Sequence, residues 1–369
     1  MDQRAELDSL RARSENEQDP NAPILARVLV WPSCYRYEVT PGTRRLLSAV
    51  ASIVLAAVLL YFALRGVDWR VVWKIIATAR WGLMAVSLGI TTCSCILRAL
   101  RWRILLNAEG RLPIATVFWG NMVGYLGNSF LPARAGEVVR SLLISRHGSL
   151  SRTYVLTTAL AERLSDVIAL VLASSLILLG GINPKPQWIT DVSRTMAVVA
   201  GAGALAIAVI PHTGWLVEAV LSRLPLGRLQ KPLIDLAGQV LLGLRAFHEW
   251  GRFVGFVGLT AAIWFLDSLT AITVGAGLGL EIRLSVAVLL ITSLGLSSAL
   301  PSTPGYVGIF QFVAVTVLAP FGIGKYSALA FIILLQAVSY VLVLLYGVPG
   351  LYILEGRGAL RRLWKQEQH

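Results

Sequence analysis

Charge is scarce in this chain. Asp, Glu, Lys and Arg together make up 14% of its 369 residues. A soluble domain of that size carries nearer a quarter, so a water-exposed globular surface is excluded. Acidic groups are the scarcer sign, 20 against 33 basic residues, leaving a net charge of +13. The basic residues cluster at the ends of apolar runs, the pattern of cytoplasmic membrane loops, with no separate basic domain to host nucleic acid. No nucleic-acid partner is expected.

Cysteine is nearly absent. Cys34, Cys93 and Cys95 lack metal-ligand spacing, and the last two lie in an apolar run as small core residues. His147, His212, His248 and His369 form no local cluster. There is no HExxH, no GxSxG and no Asp-x-Asp pair in a loop. Gly322-Ile-Gly-Lys325 lacks both the leading glycine and the following Ser or Thr of a P-loop. No cofactor or metal is expected, and no ATP hydrolysis. An apolar signal-peptide region near the start is missing too, so residues 1–45 are expected to be a partly disordered cytoplasmic tail.

What the chain has in abundance is hydrocarbon: 56% hydrophobic residues, 11 of them Trp, with mean hydropathy +0.69. The fold class expected is an all-α polytopic membrane protein over residues 46–355, with a basic cytoplasmic tail at 356–369. Residues 46–64 are long enough to span. Residues 65–80, with Trp69, Arg70, Trp73 and Lys74, predict an amphipathic interfacial helix. Residues 81–97 span back and end at Arg98, Arg101 and Arg103, which places that end and the N-terminus in the cytoplasm. Further spans are predicted at 154–179, 195–210, 253–278 and 326–354. Residues 212–252 have amphipathic spacing suited to the cytoplasmic surface. Arg357, Arg361, Arg362 and Lys365 place the C-terminus inside.

Two apolar stretches break in the same way, about 170 residues apart. One reads Gly-Asn128-Ser-Phe-Leu131-Pro132-Ala-Arg134-Ala-Gly136-Glu137, the other Ser-Ser-Ala-Leu300-Pro301-Ser-Thr-Pro304-Gly305-Tyr306. Each holds Leu-Pro-x-x-x-Gly. Proline removes a donor and glycine loosens the helix, so polar backbone is left at membrane depth. Only surrounding protein or a watery cavity satisfies it, and paired broken helices point to a transport site. Basic flanks around the first break favour a re-entrant hairpin over a crossing. Two termini inside then require the second hairpin to dip from the outer face. The count is about six full spans plus two re-entrant broken-helix hairpins, in an inverted repeat in the cell membrane.

The candidate residues follow from cost. Charges in lipid are expensive and mark function or internal pairing. Arg134, Glu137 and Arg140 recur at helical spacing beyond the first break, as a cationic pocket for phosphate or as solvated loop charges. Glu162, Arg163 and Asp166 fit either a structural network or a site that handles ligand or protons. Asp267 stands alone in an apolar run, as a hydrogen-bonded buried acid, a proton-coupling group or an arginine's partner. At the second break Ser297, Ser298, Ser302, Thr303, Tyr306 and Gln311 offer neutral hydrogen bonds. A half-helix beginning beyond Gly305 would offer free amides to an anion. Alternatively, Pro301, Pro304 and Gly305 only kink packed spans.

Arg98-Ala-Leu-Arg-Trp-Arg103, Gly120 through Glu137, Ala161-Glu-Arg-Leu-Ser-Asp166 and Leu300 through Gly308 together carry a resemblance. Over residues 45–355 the chain resembles the lysylphosphatidylglycerol synthase transmembrane region, also called the flippase-like or UPF0104 family. The resemblance implies a membrane domain that moves a phospholipid or isoprenoid-linked lipid between leaflets. It implies an anionic phospholipid or polyprenyl-phosphate-linked lipid as partner. The soluble aminoacyl-transfer domain of the synthases is expected to be missing, and the chain is expected to be a transporter and no enzyme. The alternatives are a membrane-embedded transferase acting on a lipid carrier, with Glu137 or Asp166 as base, and a non-transporting partner of a lipid-modifying synthase.

Overall fold

The computed structural model describes Arg65 and residues 67–131, 135–180, 187–209, 249–298 and 304–356. The span expected at 46–64 and most of the amphipathic segment at 212–252 lie outside these residues. Among the described residues every regular element is helical.

Helix α1, Trp69–Ala77, is short because its signals are local. The Asp68 carboxylate caps it by accepting from the Arg70 amide at 2.9 Å. Val72 and Ile76, four apart, are buried, while Trp69 and Trp73 stay exposed, as the amphipathic reading of this stretch requires. Helix α2, Trp81–Leu106, follows. Helix α3, Ile114–Phe130, starts directly after Pro113, where proline's fixed φ suits a helix start. Helix α4 is Ala135–Gly148, and α5 is Arg152–Gly180, with the Ser151 hydroxyl accepting from the Tyr154 amide at 3.1 Å. Helix α6 is Gln187–Val209.

The order then repeats. Helix α7, Trp250–Gly277, is long like α2, and α8, Leu284–Ser297, is short like α3. Across the second break lie a single turn, Pro304–Tyr306, and the short α9, Ile309–Leu318. The long α10, Lys325–Leu351, matches α5. Long, short, break, short, long therefore describes both halves, and both breaks fall where the Leu-Pro-x-x-x-Gly sequences stand.

Among the described residues, four helices are long and apolar enough to cross a bilayer: Trp81–Leu106, Arg152–Gly180, Trp250–Gly277 and Lys325–Leu354. The chain is a multi-pass membrane protein. The stretch expected to span at 195–210 is helical as far as Val209, within α6.

The sequence predicts Arg98 and Arg101 at the cytoplasmic end of a span finishing at residue 97. Helix α2 instead continues to Leu106. Arg101 is fully buried and Arg98 is ion-paired inside the protein. A buried, neutralised arginine says nothing about which face it is on, so two of the three markers for that orientation fall away.

The first break is tight because glycines line it. A Cβ on Gly127 would come 2.7 Å from the Gly136 Cα, and one on Gly124 would come 2.9 Å from the Arg140 Cβ. Small residues let α3 and α4 approach this closely, as in other membrane helix pairs. Two apolar cores flank the site. One joins α1, α7, α8, α9 and α10 through residues such as Val274, Leu290 and Phe331. The other joins α2, α3, α5 and α7 around Trp102, Val155 and Phe256.

Candidate functional site

Charged side chains from α2, α4, α5 and α7 meet in the protein interior. Arg101 donates from Nη1 to Asp166 Oδ1 at 2.6 Å and from Nη2 to Glu162 Oε1 at 2.8 Å. Thr260 accepts a further bond at 3.2 Å. Glu162 and Asp166 are one helical turn apart on α5, so a single guanidinium reaches both. Arg140 donates to Asn121 Oδ1 at 2.8 Å and to Glu162 Oε2 at 3.1 Å. It also lies 2.5 Å from Glu137 Oε2. Its guanidinium stacks over Trp102, 4.4 Å from the ring centre, and the Trp102 indole donates to Thr158. Both Arg101 and Arg140 are fully buried. Uncompensated charges there would be prohibitive, and these are compensated.

Arg163 is held differently. It lies 3.7 Å from Glu137, 3.7 Å from Glu162 and 3.8 Å from Asp166. Those are ion-pair distances beyond hydrogen-bond reach. Its Nε and Nη2 have no hydrogen-bond partner. Three carboxylates attract this cation, and none fixes it.

On α2 and α7, Arg98 pairs with Asp267, which also accepts from the Ser94 hydroxyl at 2.6 Å. Arg98 lies over Trp264 at 5.1 Å. Asp267 is thus both an arginine's partner and the acceptor of a serine hydroxyl. The four arginines 98, 101, 140 and 163 face the four carboxylates 137, 162, 166 and 267, so the formal charges balance.

This network borders a cavity of about 410 Å³ that reaches both breaks. Asn128 and Glu137 line it from the first break, Gly305 and Tyr306 from the second, and Arg163, Asp166 and Asp267 from the spans between. Glu162, Arg140, Gly136 and Gln311 stand behind its walls. Pro132, Arg134 and Pro301 lie outside the described residues, and Pro304 begins the single turn of the second break. Residues without a special place in the sequence reading also line the cavity: Ser94, Arg98, Tyr125, Trp264, Gln336 and Tyr340. The Tyr125 hydroxyl and the Trp264 indole nitrogen, like Arg163, are buried without a hydrogen-bond partner.

The second break is held open by side chains of α10. Gly305 has φ +69° and Tyr306 φ +60°, left-handed backbone that strains a tyrosine. The Gly305 carbonyl accepts from Tyr340 Oη at 2.8 Å and from Gln336 Nε2 at 3.1 Å. Gln311 donates to Gln336 at 2.7 Å, and its carbonyl oxygen accepts from the Gly308 amide at 2.7 Å. Tyr306 stacks on Phe310, 4.8 Å between ring centres. Free amides were expected at the start of this half-helix. Of these, the Gly308 amide is taken by Gln311.

Comparison with known proteins follows the same outline. The family described as Lysylphosphatidylglycerol synthase TM region matches residues 49–347. Glycosyltransferase AglD of Haloferax volcanii is 26% identical over 85% of this chain and 55% of its own length. The chain therefore spans about half of that relative. UPF0104 membrane protein MJ1078 of Methanocaldococcus jannaschii is 24% identical over 62% of this chain and 94% of its own length. No solved structure matches. These matches overturn the expectation that the chain is no enzyme, since one relative is named a glycosyltransferase and the family bears a synthase's name. The chain belongs to the lysylphosphatidylglycerol synthase transmembrane-region family.

Proposed function

We propose that the cavity between the two breaks receives the polar headgroup of a membrane lipid and carries it between leaflets. The observation that carries this reading is Arg163, a cation with unspent donors facing a cavity inside a multi-pass membrane protein. A lipid phosphate would take the bonds that its three carboxylates leave unmade, with Arg98 as the second cation. Arg140 and Arg101 hold the walls. An anionic phospholipid or a polyprenyl-phosphate-linked lipid fits this donor set. The two breaks act as re-entrant hairpins, one from each face of the cell membrane, in an inverted repeat of about six full spans with both termini cytoplasmic. The repeated order of helix lengths supports that topology.

The test is leaflet exchange of fluorescent anionic lipids in vesicles holding the purified chain. Faster exchange with protein, lost in Arg163→Gln, is the result expected. Equal exchange with and without protein across several headgroups overturns the reading.

A second reading is supported by the glycosyltransferase relative. In it, a lipid carrier bound in the same cavity is chemically modified, with Glu137 or Asp166, both on the wall, as base. A covalently changed lipid, detected by mass spectrometry in overexpressing cells, favours it.

A further inference from the structure

A second cavity adjoins the first. It encloses about 440 Å³ between α5, α6, α7 and α8, and Leu170 and Trp264 line both spaces. Its chemistry is the opposite of its neighbour's. The hydroxyls on its wall are spent on their own helices: Ser165 donates to the Ala161 carbonyl, Thr260 to Phe256 and Ser268 to Trp264, each at 2.8 Å. What remains facing the space is hydrocarbon, and the alanines 169, 173 and 261 make the room. At its rim Val257, Phe265 and Leu284 are about half exposed. In a membrane-spanning bundle that rim meets lipid, not water.

With these hydroxyl protons spent, a polar ligand finds little here to replace its hydration. A hydrocarbon chain loses nothing on entering. The two cavities together present what an amphipathic lipid presents: ionic and apolar parts joined at one boundary. Trp264 stands at that boundary, with Arg98 over its ring on the charged side and its own surface lining the apolar space. Tryptophan is suited to such a border because an apolar body carries a single polar edge.

We infer that the apolar cavity is the seat of one acyl chain of the phospholipid whose headgroup occupies the charged cavity, with Trp264 and Leu170 as the sill between them. The inference rests on the headgroup reading above and adds a laterally open path for the tail. The occupant is assigned as the acyl chain of a phospholipid, with a polyprenyl chain as the competing occupant that the test below distinguishes.

The test places the full chain in phosphatidylcholine vesicles containing phosphatidylglycerol with a diazirine midway along one acyl chain. After irradiation, labelled peptides are mapped. Labelling of residues 169–173 and 257–265 should exceed that of Leu176 and Val348, lipid-exposed positions outside the cavity, severalfold. Ala261→Phe should abolish the excess and leave labelling at Leu176 and Val348 unchanged. Ala173→Phe, at a different wall position, repeats the test if Ala261→Phe does not fold. Even labelling over all these sites, or an excess that survives both fillings, overturns the inference. So does labelling of the cavity by a photoreactive polyprenyl phosphate but not by the phosphatidylglycerol probe. The headgroup reading fails separately: Arg163→Gln would leave lipid exchange unchanged while the cavity excess persists, which upholds the chain seat.

Discussion

Arg98 and Asp267, 169 positions apart in sequence, meet across α2 and α7 on the wall of the charged cavity. Their side chains are 12% and 18% exposed, so water screens the pair little. Replacing one partner leaves the other charge uncompensated. Arg98→Met or Asp267→Leu alone should lower stability by about 3–5 kcal/mol, and the double variant should recover most of it. Unfolding in detergent gives both numbers. Additive losses in the double variant would show that the two side chains do not depend on each other.

On the transport reading proposed above, Arg101 and Arg163 should have separable roles. Arg101→Met removes the cation that Glu162 and Asp166 share and should also lower stability by about 3–5 kcal/mol. Arg163→Gln breaks no hydrogen bond but removes one counter-charge from three carboxylates, and should lower stability by less than Arg101→Met. Its lipid exchange should fall at least about tenfold, equivalent to about 1.4 kcal/mol of lost transition-state binding. Matching melting losses in both variants would contradict the distinction.

Glycine replacements should diverge according to packing. A Cβ at Gly136 would strike the Gly124 carbonyl and Asn128, whereas one at Gly89 on α2 meets nothing within 4 Å. Gly136→Ala should destabilise by about 1–3 kcal/mol through overpacking. Gly89→Ala should be neutral or stabilise by up to about 1 kcal/mol through helix propensity. Melting temperatures in detergent decide, and equal shifts would mean that α3 and α4 are not packed as described.

Gln336→Leu should loosen the second break. It removes one donor to the Gly305 carbonyl and strands the Gln311 amide. A buried polar group left unpaired costs about 1–3 kcal/mol. Hydrogen exchange at residues 304–311 should rise, and adding Gln311→Leu, which also frees the Gly308 amide, should raise it further. Unchanged exchange would remove Gln336 from this role.

What the sequence made legible was local. The two Leu-Pro-x-x-x-Gly sequences are read as breaks from local backbone chemistry alone, and the described helices end before them, at Phe130 and Ser297. Apolar runs marked the long helices for the same reason. Partnerships were another matter. Nothing near Asp267 in the chain names Arg98, and nothing near Arg101 announces that α5 brings it two carboxylates. Arginines at the end of an apolar run look alike whether they face cytoplasm or a buried acid, which is how Arg98 and Arg101 came to be read as markers of orientation. The signal that would have paired them was arithmetic: isolated acids in apolar helices need cations, and those arginines were the unassigned ones. Gln311 was picked out by its polarity, but its bond to Gln336 and its hold on the Gly308 amide depend on α10 folding back.

Four arginines against four carboxylates also has an electrical consequence. A cluster with no net formal charge does no work against the membrane potential when it shifts as a body through the bilayer field. One unbalanced charge crossing the whole field would exchange about 2.3 kcal/mol for every 100 mV. On the transport reading proposed above, voltage dependence therefore reports the charge of the cargo together with that of groups outside this cluster.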